Sequence, residues 1–176
     1  CHLDKLETIY LEGQEVIIED KCFINANNES NNKVQSSSRN IEIKSTTNAI
    51  IGSCCFSNMN NIETVEINGT NVLIKEQCFN KTTPINKISI ISTEKITFHS
   101  CLFKCTNISK LFLSSPYVLL KEKCFSSSSK INSIEIYGAK IIINDNVCSK
   151  NAEISTIRIS KSDEINLNDN AFLECS

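Results

Sequence analysis

Tryptophan is absent from this chain of 176 residues, and methionine, proline, histidine and glycine number only 1, 2, 2 and 4. With His2 and His99 alone there is no H-E-x-x-H pair, and the glycines form no P-loop, G-x-S-x-G or G-x-G-x-x-G turn. The metalloprotease, nucleotide-binding and serine-hydrolase patterns that need those residues are therefore missing. Charge of one sign is scarce as well. A net charge of -2 lacks the basic excess of a nucleic-acid-binding surface. No uninterrupted apolar run exceeds five residues, so neither a membrane span nor a signal-peptide core is present in the segment.

What the chain has is a period. The segments 18–23, 51–56, 74–79, 98–103, 120–125, 143–148 and 167–172 each open on an apolar residue and close on phenylalanine, except the sixth, which closes on Cys148. The closing positions lie 33, 23, 24, 22, 23 and 24 residues apart. A fixed period in the twenties is the signature of a solenoid, whose work is done by an extended surface. Between closures runs an apolar-x-x-apolar-x-apolar motif, as in Ile62, Val65 and Ile67 or Ile131, Ile134 and Ile136. The second unit keeps Ile41 and Ile43 but puts Ser38 in the first apolar place. The last three positions alternate, which reads as a half-buried strand. A shorter alternation follows in each unit, such as Val72 to Ile74 or Val118 to Leu120.

These features predict a β-rich leucine-rich-repeat solenoid of about seven coils, with a parallel concave sheet, short strands and turns behind it, and little helix. No coil buries its own apolar face, but stacked coils share one core. At about 4.8 Å per strand, seven coils make a stack roughly 30 Å long. Isoleucine, 27 of 176 residues, suits that stack because β-branched side chains pack well on pleated strands. Residues 1–176 read as a single solenoid domain, expected to be a segment of a longer array. The Asn-rich stretch 24–33 reads as a loop inserted in the second coil.

The pattern resembles BspA-type leucine-rich repeats, and the resemblance covers essentially the whole chain. Cys-Phe at 22–23, 55–56, 78–79 and 124–125 is similar to the protozoan variant, and Ala171-Phe172 to the commoner bacterial form. Of the family's cysteine three residues past the phenylalanine, only Cys175 is a match. The resemblance implies a surface protein of host-associated bacteria or mucosal protozoa: an adhesin or antigen that contacts host cells, matrix proteins or other microbes. Arrays of this family without anchors are also cytoplasmic, so an intracellular scaffold with reduced cysteines is the alternative.

The ten cysteines are mostly explained by register. Cys22, Cys55, Cys78 and Cys124 share a column with Leu102, Val147 and Ala171, which marks a small apolar core site. Strand stacking leaves column neighbours about 4.8 Å apart, wider than the roughly 3.8 Å Cβ separation of a disulfide. Cys148, in the phenylalanine place, is core by the same reasoning. Cys54 and Cys101 share another column but stand two coils, or about 10 Å, apart. Cys101 and Cys105 near His99 are open to three readings: free thiols, a local disulfide, or a zinc site lacking a clear fourth ligand. Cys1 and Cys175 lie at the ends. A Cys101–His99 catalytic pair would need side chains that diverge around a strand's end. No enzyme activity, cofactor or metal is expected.

Four sequons occur, at Asn28, Asn68, Asn80 and Asn107. With 22 Asn and 34 Ser plus Thr, chance alone gives about four, so they carry little information on compartment. The function is expected on the outward positions of the long strands, which alternate with core positions. One outward column runs Tyr10, Glu42, Glu66, Ser89, Phe112, Glu135 and Arg158; beside it lie Lys87 and Lys110 on one flank and Ile91 and Tyr137 on the other. Phe112, Ile91 and Tyr137, edged by Lys110, Glu135 and Arg158, form the candidate patch, because aromatic and arginine anchors inside a polar rim typify binding hot spots. The expected partner is a protein, with neither nucleic acid nor membrane insertion involved.

Overall fold

The computed structural model describes residues 7–23, 39–57, 59, 62–79, 84–99, 107–125, 130–147 and 153–172, and among these there is no helix. Seven strands form a first parallel ladder: β1 (Thr8–Gly13), β3 (Arg39–Ser45), the front of β5 (Ile62–Ile74), the front of β6 (Ile85–Phe98), β7 (Asn107–Ser114), β9 (Lys130–Tyr137) and β11 (Glu153–Ser160). A second parallel ladder takes β2 (Val16–Ile18), β4 (Asn48–Ile51), the backs of β5 and β6, β8 (Tyr117–Leu120), β10 (Lys140–Ile143) and β12 (Glu164–Leu167). Each coil thus gives one strand to each ladder, and in the third and fourth coils the two strands run on as one. The result is a parallel β-solenoid. Turns that the described residues carry through to the closing ring number five, ending at Phe23, Phe56, Phe79, Phe125 and Phe172, fewer than the seven coils expected. Phe103, Cys148 and the insertion at 24–33 lie outside the described residues.

Alternation decides which side chains meet. In β4 the order half-buried, buried, half-buried, buried puts Ala49 and Ile51 inside and Asn48 and Ile50 outside. Repeated over every rung, this lines the core with Ile43, Ile67, Ile90, Leu113 and Ile136 from the first ladder and Ile51, Ile74, Phe98, Leu120 and Ile143 from the second. Phenylalanine rings close the gap between the ladders. Phe23, Phe56 and Phe79 stack with centroids 5.5 Å apart at each step and interplanar angles of 11° and 19°. The offset ring stack follows from the strand spacing, since identical side chains on successive rungs must repeat at nearly that distance.

The closing turn has a feature the sequence did not announce. Lys21, Cys54, Gln77, Lys123, Asn146 and Asn170 all hold positive φ, between 53° and 63°. Each stands two places before the closing position of its coil. The left-handed residue turns successive N–H groups toward the next coil: Cys54 N–H donates to Glu76 O at 3.0 Å and Phe56 N–H to Cys78 O at 2.9 Å. The first coil does the same through Lys21 to Ser53 O and Phe23 to Cys55 O. The inter-coil ladder therefore continues through the turn, and Asn is the only residue of the six with an ordinary tolerance for that conformation.

Three expectations need correction. Cys22, placed in the core column, is exposed, because among the described residues no rung covers the first coil. Ile157, Ile165 and Leu167, which take the inward places of the two alternations in the last unit, are exposed for the same reason at β11 and β12, Leu167 at 54%. The first apolar place of the second coil falls to Arg39 rather than Ser38. Arg39 pairs in register with Ile62, is buried, and is followed by a shift in the ladder; Ser38 lies outside the described residues.

Two substitutions test this construction by chemical denaturation. Phe56→Ala, which opens a hole within the ring stack, is expected to cost about 3–5 kcal/mol. Lys123→Asn relieves the left-handed backbone and is expected to add about 0.5 kcal/mol, whereas Lys123→Val costs about 1–3 kcal/mol. Equal stability of the two Lys123 variants would contradict the role assigned to the turn.

Candidate binding surface

The outward face of the first ladder is assembled by register alone. Tyr10 pairs with Glu42, Glu42 with Glu66, Glu66 with Ser89, Ser89 with Phe112, Phe112 with Glu135 and Glu135 with Arg158. Thr64, Lys87, Lys110 and Ser133 form the column on one side, and Asn68, Ile91, Ser114 and Tyr137 the column on the other. These residues share one face because side chains two apart on a strand point the same way.

Within that face the charges are paired. Lys44 meets Glu42 at 2.6 Å, Lys87 meets Glu66 at 3.2 Å, and Lys110 reaches across to Glu135 at 2.9 Å. At the first rungs Tyr10 donates its hydroxyl hydrogen bond to Glu12, which raises the phenol's pKa, and Lys44 sits 5.3 Å from the centre of its ring. Arg158 is exposed and makes no ion pair among the described residues.

The apolar residues converge only in part. Phe112 and Tyr137, on adjacent rungs and adjacent columns, pack with ring centroids 5.4 Å apart and planes at 42°. Ile91, 44% exposed, stands two rungs from Tyr137 with Ser114 between them, so it flanks the ring pair at about 10 Å rather than joining it. Ser89 belongs to the outward column by register but is only 7% exposed, which corrects its place among the contact residues.

One residue of the patch was not foreseen. Lys161, with φ of 58°, begins the corner after β11 and brings its ammonium 6.0 Å from the Tyr137 ring centre. With Ser92, Ser114, Pro116 and Tyr137 it lines an open cleft of about 200 Å³ beside the ring pair. Gly138 makes the floor possible: a Cβ there would come within 2.1 Å of Ser115 O. Corner residues fall outside strand alternation, which is why periodicity gave no sign of Lys161.

Sequons and cysteines sort by exposure. Asn107 is exposed at the first position of β7, whereas Asn68 is half-buried in mid-strand; Asn28 and Asn80 lie outside the described residues. Cys22, Cys54, Cys55 and Cys78 are free, and Cys55, Cys78 and Cys124 are buried. The Cys55 thiol donates to Glu19 O of the preceding coil at 2.9 Å, and burial first of all pushes its pKa to about 11. Cys78 is raised well above the ordinary thiol value, again by burial. Cys124 differs: its thiol lies closest to Lys121 O of its own coil, at 2.7 Å, with Phe98 O and His99 O of the preceding coil at 3.7 and 3.5 Å. Cys1, Cys101, Cys105, Cys148 and Cys175 lie outside the described residues. His99 faces Lys121 at 3.2 Å, and burial followed by that lysine lowers its pKa. Among the described residues no group of three or more His, Cys, Asp or Glu is placed to hold a metal ion, and no helix is long and apolar enough to cross a membrane.

A family model described as the BspA-type leucine-rich repeat region matches residues 49–176, in 6 copies. No curated protein and no solved structure matches the chain.

Thiol labelling of the folded chain provides a check on the cysteine column. Cys22 is expected to react promptly, while Cys55, Cys78 and Cys124 stay unlabelled until denaturant opens the stack, because a buried thiol far from its thiolate form is inert. Mass spectrometry of the labelled peptides reads the order; early labelling of Cys78 would contradict it.

Proposed function

Because the chain belongs to the BspA-type leucine-rich repeat family, we propose that it is a non-catalytic protein-binding module displayed at a cell surface, where it acts as an adhesin or antigen. The contact is made by the outer face of the first ladder, centred on the Phe112–Tyr137 ring pair. That ring pair carries the proposal: two half-buried aromatic side chains in contact on a largely polar face with several Lys–Glu pairs. Aromatic anchors surrounded by a polar rim concentrate binding energy, and Arg158 adds a cation with no partner charge already spoken for among the described residues. The neighbouring Lys–Glu pairs are exposed and add little affinity of their own, but they set which partner charges are accepted. The partner is a protein of a host cell, the extracellular matrix or another microbe.

A second reading, an intracellular scaffold, is favoured by one observation. Four described cysteines, Cys22, Cys54, Cys55 and Cys78, are free, and secreted domains tend to use cysteine in disulfides. A solenoid with a continuous core has less need of such staples, which weakens that preference. Glycans on Asn107 or Asn68 of protein from its natural source would eliminate the scaffold reading.

The adhesin reading is tested by flow cytometry of the labelled chain on host epithelial cells. Phe112→Ala combined with Arg158→Glu is expected to lower cell binding at least about tenfold, since two such anchors are each worth more than 1 kcal/mol. Unchanged binding by a folded double variant would remove this face from the contact.

A further inference from the structure

The cations on the first ladder's outer side are not all balanced, and the imbalance falls beside the cleft. Lys44, Lys87 and Lys110 each meet a glutamate, and at the strand starts Lys130 meets Glu153 at 3.0 Å. Arg158 and Lys161 are exposed and make no ion pair among the described residues. Arg158 stands in register with Glu135, but Lys110 already holds that carboxylate. Asp163 follows Lys161 by two residues without pairing with it. Along these rungs Lys110, Arg158 and Lys161 therefore outnumber Glu135 and Asp163.

The cleft runs along the stack at the corner between the ladders, from Ser92 past Pro116 and Gly138 to Lys161. Three steps between rungs make it about 14 Å long. Its volume of about 200 Å³ falls below the roughly 300–1,000 Å³ of pockets that enclose a whole small molecule, and suits a side chain. Most of its hydroxyls are committed. Ser92 is buried and donates to Thr70 O or Lys95 O, and Ser115 is buried and donates to Tyr117 O at 3.1 Å. The half-buried Ser114 hydroxyl makes no hydrogen bond among the described residues. The polar groups left to a ligand are thus Ser114 and the Lys161 ammonium, which rests 6.0 Å from the Tyr137 ring centre. A ring face holds a cation without using its N–H donors, so an acceptor is still wanted there.

We propose that the cleft receives an aspartate or glutamate side chain of the protein partner, while a neighbouring apolar residue of that partner packs on the Phe112–Tyr137 rings. Lys161 is the counter-charge, Ser114 a hydrogen-bond donor, and Arg158 adds attraction from the outward column of the last described rung. The proposal rests on the reading of this outer face as the contact, and it names the chemistry the face selects. An ionised carboxylate only accepts hydrogen bonds, so it serves both groups without leaving a donor unmatched. A basic partner would instead bring a like charge against two cations that no carboxylate of this chain neutralises, which is how wrong partners are rejected. The paired lysines elsewhere on the face cannot discriminate in this way, because their charge is already cancelled.

Short random peptides displayed on phage, panned against the folded chain, test this. Retained peptides are expected to carry Asp or Glu beside an aliphatic or aromatic residue. A synthetic copy of the most enriched peptide is then titrated by fluorescence anisotropy, with circular dichroism confirming that each variant is folded. Its affinity is expected to fall at least about fivefold on Lys161→Glu, to change little on Lys161→Arg, and to weaken as salt rises. No retained peptide, retained peptides without acidic enrichment, or an affinity unmoved by Lys161→Glu overturns the proposal. Binding to host epithelial cells that Lys161→Glu abolishes, with no acidic peptide retained, overturns it in favour of an anionic glycan. Failure of the broader reading looks different. Affinity lost on Phe112→Ala but not on Lys161→Glu keeps the face and overturns the cleft, whereas the reverse keeps the acidic ligand and takes the ring pair out of the contact.

Discussion

Every rung of this molecule must offer its N–H and C=O groups at the height where the next rung can take them. Parallel ladders have no other way to satisfy the interior backbone, and an unpaired buried group costs as much as a lost hydrogen bond. The constraint reaches beyond the strands. At the closing turn it imposes a left-handed residue in each described coil, whether or not the side chain suits it. Lysine, glutamine and cysteine are held there at an energetic cost that a single hairpin could avoid by slipping register. A stack cannot slip, because moving one coil would unpair two neighbours.

The same constraint explains the cysteine column. Carbonyls at the ends of the second-ladder strands already accept a backbone N–H, as Ile18 O does from Gly52 and Phe98 O from Lys121. The thiol of Cys55 adds a weak donor to the next carbonyl along, Glu19 O, and that of Cys124 to Lys121 O of its own coil, while each fills a small apolar site. Val147 and Ala171 fill the site without donating. Packing therefore sets the size of the residue, and the extra donor is a refinement. Burial pushes the Cys55 thiol to about 11 and the Cys78 thiol well above its ordinary value, so these buried members of the column, which look chemically active in the sequence, offer little thiolate.

Periodicity exposed whatever repeats with the strand. The outward columns from Tyr10 to Arg158 were readable because residue separation of two fixes the face, and the phenylalanine stack because one ring recurs at each closure. What periodicity could not expose lies where the backbone leaves the strand or where neighbours differ in size. The left-handed column mixes Lys, Cys, Gln and Asn, so only Asn146 and Asn170 carried a hint of it. Arg39 displaced Ser38 because the ladder shifts by a residue at the start of β3, which no alternation reports. Ser89 is outward yet buried because exposure depends on the side chains beside it. The outer column of the second ladder was hidden differently: Val-x-Ile was read for its inward pair, and the residue between them passed as spacer.

That spacer changes how the surface is understood. The first ladder's outer face is largely polar, and its lysines and glutamates neutralise one another within a strand, as Lys44 and Glu42 do, or across adjacent rungs, as Lys87 does with Glu66 and Lys110 with Glu135. Pairs so exposed contribute little to stability, so their regular placement is better explained by what the face must not do, which is attract every charged protein it meets. The aromatic pair then discriminates against a quiet background. The second ladder's outer column is aliphatic at Ile17, Ile50, Leu73, Leu119 and Ile142 and polar at Thr97 and Asn166. The core does not need Ile50, Leu73, Leu119 or Ile142, since alternation points them away from it. Half-buried side chains in register at successive rungs cover part of one another's apolar surface, so this column adds burial along the stack without entering the core.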